Sequence, residues 1–250
     1  MKILLIETAT QICSVALGET PSLCGDSPLK GGEPKVLARR DSDTPNAHST
    51  RLSVFIDEVL KECSLTPRDL DAVCVSAGPG SYTGLRIGVS TAKGFCYALG
   101  IPLVSVPTLL SMAALYYQQH PDYKGLVCPM IDARRMECYT MIVERELRIK
   151  NEELRILRDT SADVIEAGCF DEWLNRGEVM FVGDGAEKTR DILGVHPNAR
   201  YDSDFRLSAE GLLQLAEAKL RDGKTEDVAY FEPFYLKDFV AKISVVHGLR

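Results

Sequence analysis

Apolar and polar positions change period several times along the first hundred residues, and each change marks an element. Residues 2–6 form a nearly continuous apolar run and residues 12–17 a second β-favouring stretch. The polar turn Thr8, Ala9, Thr10, Gln11 lies between them, so the pair reads as a hairpin. A third short strand is expected at residues 35–39, after a segment from Gly18 to Pro34 whose Gly, Pro and Ser content forces a loop. From His48 the period becomes helical: Leu52, Phe55, Ile56, Val59 and Leu60 share one face, with Arg51, Asp57 and Lys61 away from it. A short buried strand over 71–76, a Gly-rich turn, a helix over 84–99, a strand over 102–106 and a helix from about Thr108 complete this part.

The rest repeats the alternation. Residues 126–132 and 138–144 read as a hairpin across 133–137, followed by a helix over 162–174, a strand over 178–182 and helices over 186–193 and 208–220. Three strands, helix, strand, helix, strand, helix is the connectivity of the ribonuclease-H-like fold. The expected class is therefore α/β, with two ribonuclease-H-like lobes of the actin- and hexokinase-like ATPase kind, the second degraded. The boundaries expected are 1–107, carrying the Gly-rich turn and the two amphipathic helices, and 108–250, whose C-terminal segment is free to pack back on the first lobe. A fold of this kind does not specify a chemistry.

Composition narrows the function classes. With 45% hydrophobic residues in 250 the chain can bury a sizeable core without metal or disulfide. Its 29 basic and 36 acidic residues give −7, so no overall positive field draws it unaided to a phosphate backbone. The adjacent pairs Arg39, Arg40 and Arg134, Arg135 are assigned no role. Eight cysteines are scattered singly, with no C-x-x-C pair to grip zinc, which suits a reducing compartment. Four histidines, His48, His120, His196 and His247, include no H-x-x-x-H pair, and no metal site is expected. The chain opens directly on a strand and has no apolar stretch of the ~18 residues a membrane span needs, so a cytoplasmic location without membrane contact is expected.

Three segments are candidates for chemistry or docking. AGPGSYTGLRIG, residues 77–88, joins a strand to a helix, where backbone N–H groups converge as an anion would require. Gly78, Gly80 and Ser81 are its phosphate candidates; the alternative is a tight turn that needs positive φ and close helix packing. The first hairpin places Glu7 and Thr8 where kinases of this fold hold phosphate and metal, although a carboxylate facing solvent at a strand end is an equal reading of Glu7. FVGDGAEK, residues 181–188, sets Gly183 and Gly185 between a strand and a helix, as at an adenosine site. Within the helix, Gly84, Gly88 and Ala92 recur every four residues and leave a strip almost without side chains. Helical glycine costs about 1 kcal/mol relative to alanine, so Gly88 and Gly94 need a compensating use, such as close approach of the helix 51–62 or of another subunit.

MKILLIETATQICSVAL, AGPGSYTGLRIGVSTAKGFCYALGIPLVSVPTL and PMIDARRMECYT, in this order, resemble the TsaB (YeaZ) family, with FVGDGAEK and FEPFYLKDFVAK fitting more loosely. The loop from Gly18 to Pro34 is longer than the family's, and Glu7 stands where its members commonly have Asp. The resemblance implies a scaffold that binds the related transferase TsaD, with TsaE, for threonylcarbamoyl transfer to the adenosine beside the tRNA anticodon. It implies tRNA contact only through the complex, no cofactor of its own, and ATP or ADP at the complex boundary as an open question. Thr108 and Met112 occupy the places of TsaD's metal-binding H-x-x-x-H histidines, so no catalytic residue is assigned. The docking residues implied are His48, Leu52, Phe55, Gly84, Gly88, Thr91, Ala92 and Phe95, and the same helices would serve a homodimer when TsaD is absent. The competing expectation is an ATP-dependent phosphotransferase, or a peptidase as an old family label has it.

Overall fold

A computed structural model describes residues 1–21, 33–147 and 152–237, apart from the side chains of residues 147, 152 and 153. Most of the loop expected between Gly18 and Pro34, together with Cys24, His247 and the end of FEPFYLKDFVAK, lies outside the described residues. Among the described residues ten strands form two sheets. The first contains β1 (Lys2–Glu7), β2 (Cys13–Glu19), β3 (Lys35–Ser42), β4 (Ala72–Ser76) and β5 (Leu103–Val106) in the order β3-β2-β1-β4-β5. The second contains β6 (Leu126–Asp132), β7 (Glu137–Leu147), β8 (Glu152–Val164), β9 (Val179–Val182) and β10 (Ala199–Asp202) in the order β10-β9-β6-β7-β8. In each sheet three consecutive strands pair antiparallel and the next two add parallel to the first of them. The second sheet thus repeats the first, and the two-lobed α/β fold read from the sequence is the one observed.

Each sheet is buried on both faces, which is why its central strands read as apolar runs rather than alternations. Leu4, Ile6, Val73 and Val75 meet α1 (Ala47–Glu62) and α2 (Tyr82–Leu99), while Ile3, Leu5, Cys74 and Val104 meet residues 209–212 and α6 (Leu213–Arg221) from the far end of the chain. In the second sheet, α3 (Thr108–Gln119) packs on one face through Leu109, Met112 and Tyr116. On the other face, α4 (Asp171–Leu174) and α5 (Arg190–Leu193) are single turns, and Phe170, Trp173 and Phe181 fill the space. No helix among the described residues is long and apolar enough to cross a membrane.

Three elements differ from expectation: β8 and β10 are strands that the local pattern does not announce, and one expected helix is largely replaced. The helix expected over 162–174 is absent: residues up to Val164 belong to β8, and only Asp171–Leu174 is helical. The composition of 162–174 is compatible with a helix, but pairing with β7 from Glu137↔Val164 onward captures its start, and Gly168 in the left-handed region (φ 83°) separates the two parts.

The glycines of α2 are used in two different ways. Gly84 and Gly88 lie directly on the β1–β2 turn: a Cβ at Gly84 would overlap the Thr8 carbonyl oxygen, and one at Gly88 the Thr8 hydroxyl. Within the chain their close neighbour is this turn rather than the helix 51–62. Gly94, one and a half turns further on, is exposed with nothing within 4 Å of where its Cβ would stand. Gly84→Ala should therefore destabilise the chain by ~1–3 kcal/mol through overpacking against backbone. Gly94→Ala should stabilise it by ~0.5–1 kcal/mol. Urea unfolding of the two variants checks both signs, and equal effects would contradict the assignment.

Candidate functional site

Glu7 ends β1, and register places it opposite Ser14 and beside β4. The side chain is fully buried, which removes the solvent-facing reading. Its Oε1 accepts hydrogen bonds from the Ala9 N–H and the Ser76 hydroxyl, each at 2.7 Å, while Oε2 has no hydrogen-bond partner among the described residues. Burial pushes its pKa from 4.5 up to about 7 against these hydrogen bonds. Thr8, next in sequence, is buried toward α2, and its hydroxyl also lacks a partner.

The Gly-rich turn is packed into the chain rather than open as a cradle. The N–H of Ala77 is donated to the Val106 carbonyl (2.8 Å), that of Gly78 to the Thr108 hydroxyl (3.1 Å) and that of Ser81 to the Ala9 carbonyl (2.6 Å). The Ser81 hydroxyl caps α2 by accepting from Gly84 N–H at 3.2 Å. A Cβ on Gly80 would overlap the Ala9 carbonyl oxygen. Gly78 has φ 109°, and the Phe234 carbonyl oxygen lies 2.5 Å from where its Cβ would stand, because the segment before Lys237 crosses the turn and Phe234 N–H bonds the Ala77 carbonyl at 2.7 Å. These amides are committed within the chain, so the glycines here answer the need for close packing and positive φ.

Helix α3 stands between this turn and the second one. Thr108 is tied to Gly78, and Met112, fully buried, packs its methyl against Gly183. Gly183 (φ 105°) and Gly185 both press on the backbone of β6, at Met130 and Ile131. Of the seven phosphate candidates only Gly183 lines a hollow of about 420 Å³ shared with Thr10, Asp43, Asp184, Glu187, Asp202 and Arg206. Its wall carries four carboxylates to one guanidinium, a field opposed to an unescorted polyphosphate. A hydroxyl already bonded to backbone and a packed thioether do not fit an iron or zinc ion at the positions of Thr108 and Met112.

The docking residues divide. Leu52, Phe55, Gly84, Gly88 and Ala92 are buried within the chain, a correction to their placement on an open face, because α1 and α2 turn their apolar stripes toward the first sheet. His48, Thr91 and Phe95 are half-buried; the His48 imidazole lies 3.2 Å from the Ile12 carbonyl and Thr91 donates to Ile87 at 2.8 Å. The outer surface of the two helices instead presents Val54, 39% exposed, Ser90, Gly94 and Tyr97, 86% exposed. The signal available in the sequence was Tyr97 one turn from the unexplained Gly94.

This arrangement has relatives among known proteins. The sequence profile of TsaD, tRNA N6-adenosine threonylcarbamoyltransferase, matches residues 42–245. The tRNA threonylcarbamoyladenosine biosynthesis protein TsaB of Escherichia coli K12 is 30% identical over 245 residues, covering 96% of each chain. That of Haemophilus influenzae is 32% identical over 253 residues, covering 96% of this chain and 95% of its own. The solved structure of YeaZ from Pseudomonas aeruginosa matches with a TM-score of 0.74 at 25% identity, over 94% of this chain and 99% of that one.

The Glu7 environment has a measurable consequence. A carboxyl with a raised folded-state pKa binds more protons folded than unfolded, so its burial weakens the fold as pH rises from 4.5 through 7. That gap corresponds to ~3 kcal/mol. Relative to Glu7→Gln, which cannot ionise, the wild-type chain should lose stability on that order between pH 4.5 and 7.5 in urea titrations, whereas a constant difference would show that Glu7 does not titrate there.

Proposed function

The chain belongs to the TsaB family of tRNA threonylcarbamoyladenosine biosynthesis proteins, and on that premise we propose that it acts as a non-catalytic subunit that docks on the transferase TsaD. The single observation that carries the reading is α3: its Thr108 and Met112 are spent on internal packing at the place where the transferase's metal-binding histidines are expected. Burial raises the thiols of Cys13, Cys96 and Cys138 to about 11, which leaves them protonated and weak as nucleophiles. The imidazoles of His48, His120 and His196 contact Ile12, Asp202 and Asn198, with no serine or cysteine among their bonded partners in the described residues. Both features weigh against the peptidase reading.

The docking face of this reading is the outer surface of α1 and α2. An exposed helical glycine lowers stability with no return inside the chain, and a tyrosine exposed at 86% is a large anchor beside it. In this reading TsaE joins the pair, ATP or ADP binds at the complex boundary rather than in the acidic cleft, and the same face pairs two copies when TsaD is absent. The compartment proposed is the cytoplasm, where free buried thiols persist.

The test uses residues that do not hold the fold. Gly94→Arg and Tyr97→Glu should leave the melting temperature near that of wild type and weaken TsaD binding by about a hundredfold in calorimetry. Unchanged affinity in both folded variants would place the interface elsewhere.

A further inference from the structure

Two adjacent arginine pairs occur in the sequence, and their environments are opposite. Arg39 bridges Asp41 at 3.0 Å and Glu210 at 2.5 Å, and Arg40 bridges Glu58 at 2.8 Å and Glu62 at 2.6 Å. Arg134 and Arg135 are exposed at the tip of the β6–β7 turn, and no acidic side chain pairs with them among the described residues. The nearest acids are engaged already. Asp132 is paired with Lys188, Glu137 with Lys237, and Asp184 accepts the Asp132 N–H at 3.0 Å.

The turn is also held against local preference. Arg134 (φ 72°) and Arg135 (φ 49°) are consecutive non-glycine residues in the left-handed region, where Asn and Gly sit more easily. Such conformations persist when the surroundings over-determine them. Here the Arg134 N–H is donated to the Asp132 carboxylate at 2.8 Å, and Lys188 donates to the carbonyls of Arg135 (2.9 Å) and Glu137 (2.7 Å). Charged groups from β6, from the turn after β9 and from the segment before α5 thus fix a tip whose two arginines are exposed; the Arg134 charge also favours the ionised Asp132 carboxylate, and neither guanidinium is in a salt bridge among the described residues. A solvated surface pair needs no such support.

We propose that Arg134 and Arg135 form a phosphate-binding prong that contacts the tRNA backbone when the chain is part of its complex. Guanidinium groups match phosphate oxygens with paired, charge-assisted hydrogen bonds, and a rigid tip presents two of them together. The net charge of −7 keeps the isolated chain from binding RNA, so the prong acts only where other subunits supply the remaining attraction. The inference rests on the docking reading above.

The experiment measures binding of an unmodified tRNA transcript to the complex of this chain with TsaD, by fluorescence anisotropy across a salt series. R134N/R135G relaxes the backbone and removes both charges. It should raise the melting temperature, leave assembly intact, weaken tRNA binding about tenfold at 0.1 M salt and reduce the log–log salt slope by about two. R39A/R40A, which removes arginines already neutralised, should keep the slope. A raised melting temperature with unchanged tRNA affinity and slope overturns the prong alone. Weakened assembly with unchanged tRNA affinity of the assembled complex also overturns it, in favour of an acidic protein surface. Failure of the wild-type chain to assemble with TsaD removes the docking reading and the prong with it.

Discussion

The start of α2 lies directly against the β1–β2 turn, and much of the rest follows from this contact. The Ala9 carbonyl accepts the Ser81 N–H at 2.6 Å, and the Thr8 carbonyl lies where Gly84 would carry a Cβ. Only glycine at 80, 84 and 88 lets the helix come so near. That contact fixes α2 across the first sheet, seals Glu7 and Thr8 beneath it, and determines which side of the helix faces outward. The small-residue strip is a requirement of the monomer, while the opposite side, with Gly94 and Tyr97, has no internal requirement at all.

A second constraint operates between the lobes. Helix α3 packs on the second sheet yet reaches both glycine turns, through Thr108 to Gly78 and through Met112 to Gly183. The chain end adds to this closure. Ala209 N–H bonds the Ser14 hydroxyl at 2.8 Å, Glu226 N–H bonds Leu103 at 2.8 Å, and Phe234 crosses the Gly-rich turn. A hollow between the lobes, lined by Asp43, Asp184, Glu187 and Asp202 together with Arg206, stays open. The Gly-rich turn is packed against the protein's own backbone, while Gly183 of the second turn borders this hollow.

The first sheet and its helices were legible because β1, β4 and β5 are buried on both faces and α1 carries a strict apolar stripe. The second half was harder for identifiable reasons. Residues 152–164 owe their strand to pairing with β7, information that no local period contains, and β10 is four residues long with Ala199 as its one buried position. Glu7 was legible as unusual but not as buried, since its partner Ser76 lies 69 residues away. The inward packing of Leu52, Phe55 and Ala92 was hidden for another reason: an amphipathic stripe states that a face is covered, not whether sheet or partner covers it. The left-handed arginines were invisible in sequence, because neither residue type favours that backbone.

On the function proposed above, the chain has exchanged a catalytic cleft for a docking face. Reconstitution of threonylcarbamoyl transfer to tRNA, with this chain present, omitted or supplied alone, addresses it directly. Transfer is expected when chain and TsaD are combined, with a large loss when the chain is left out and none from the chain by itself with Mg-ATP and the activated donor. Turnover by the isolated chain would contradict it.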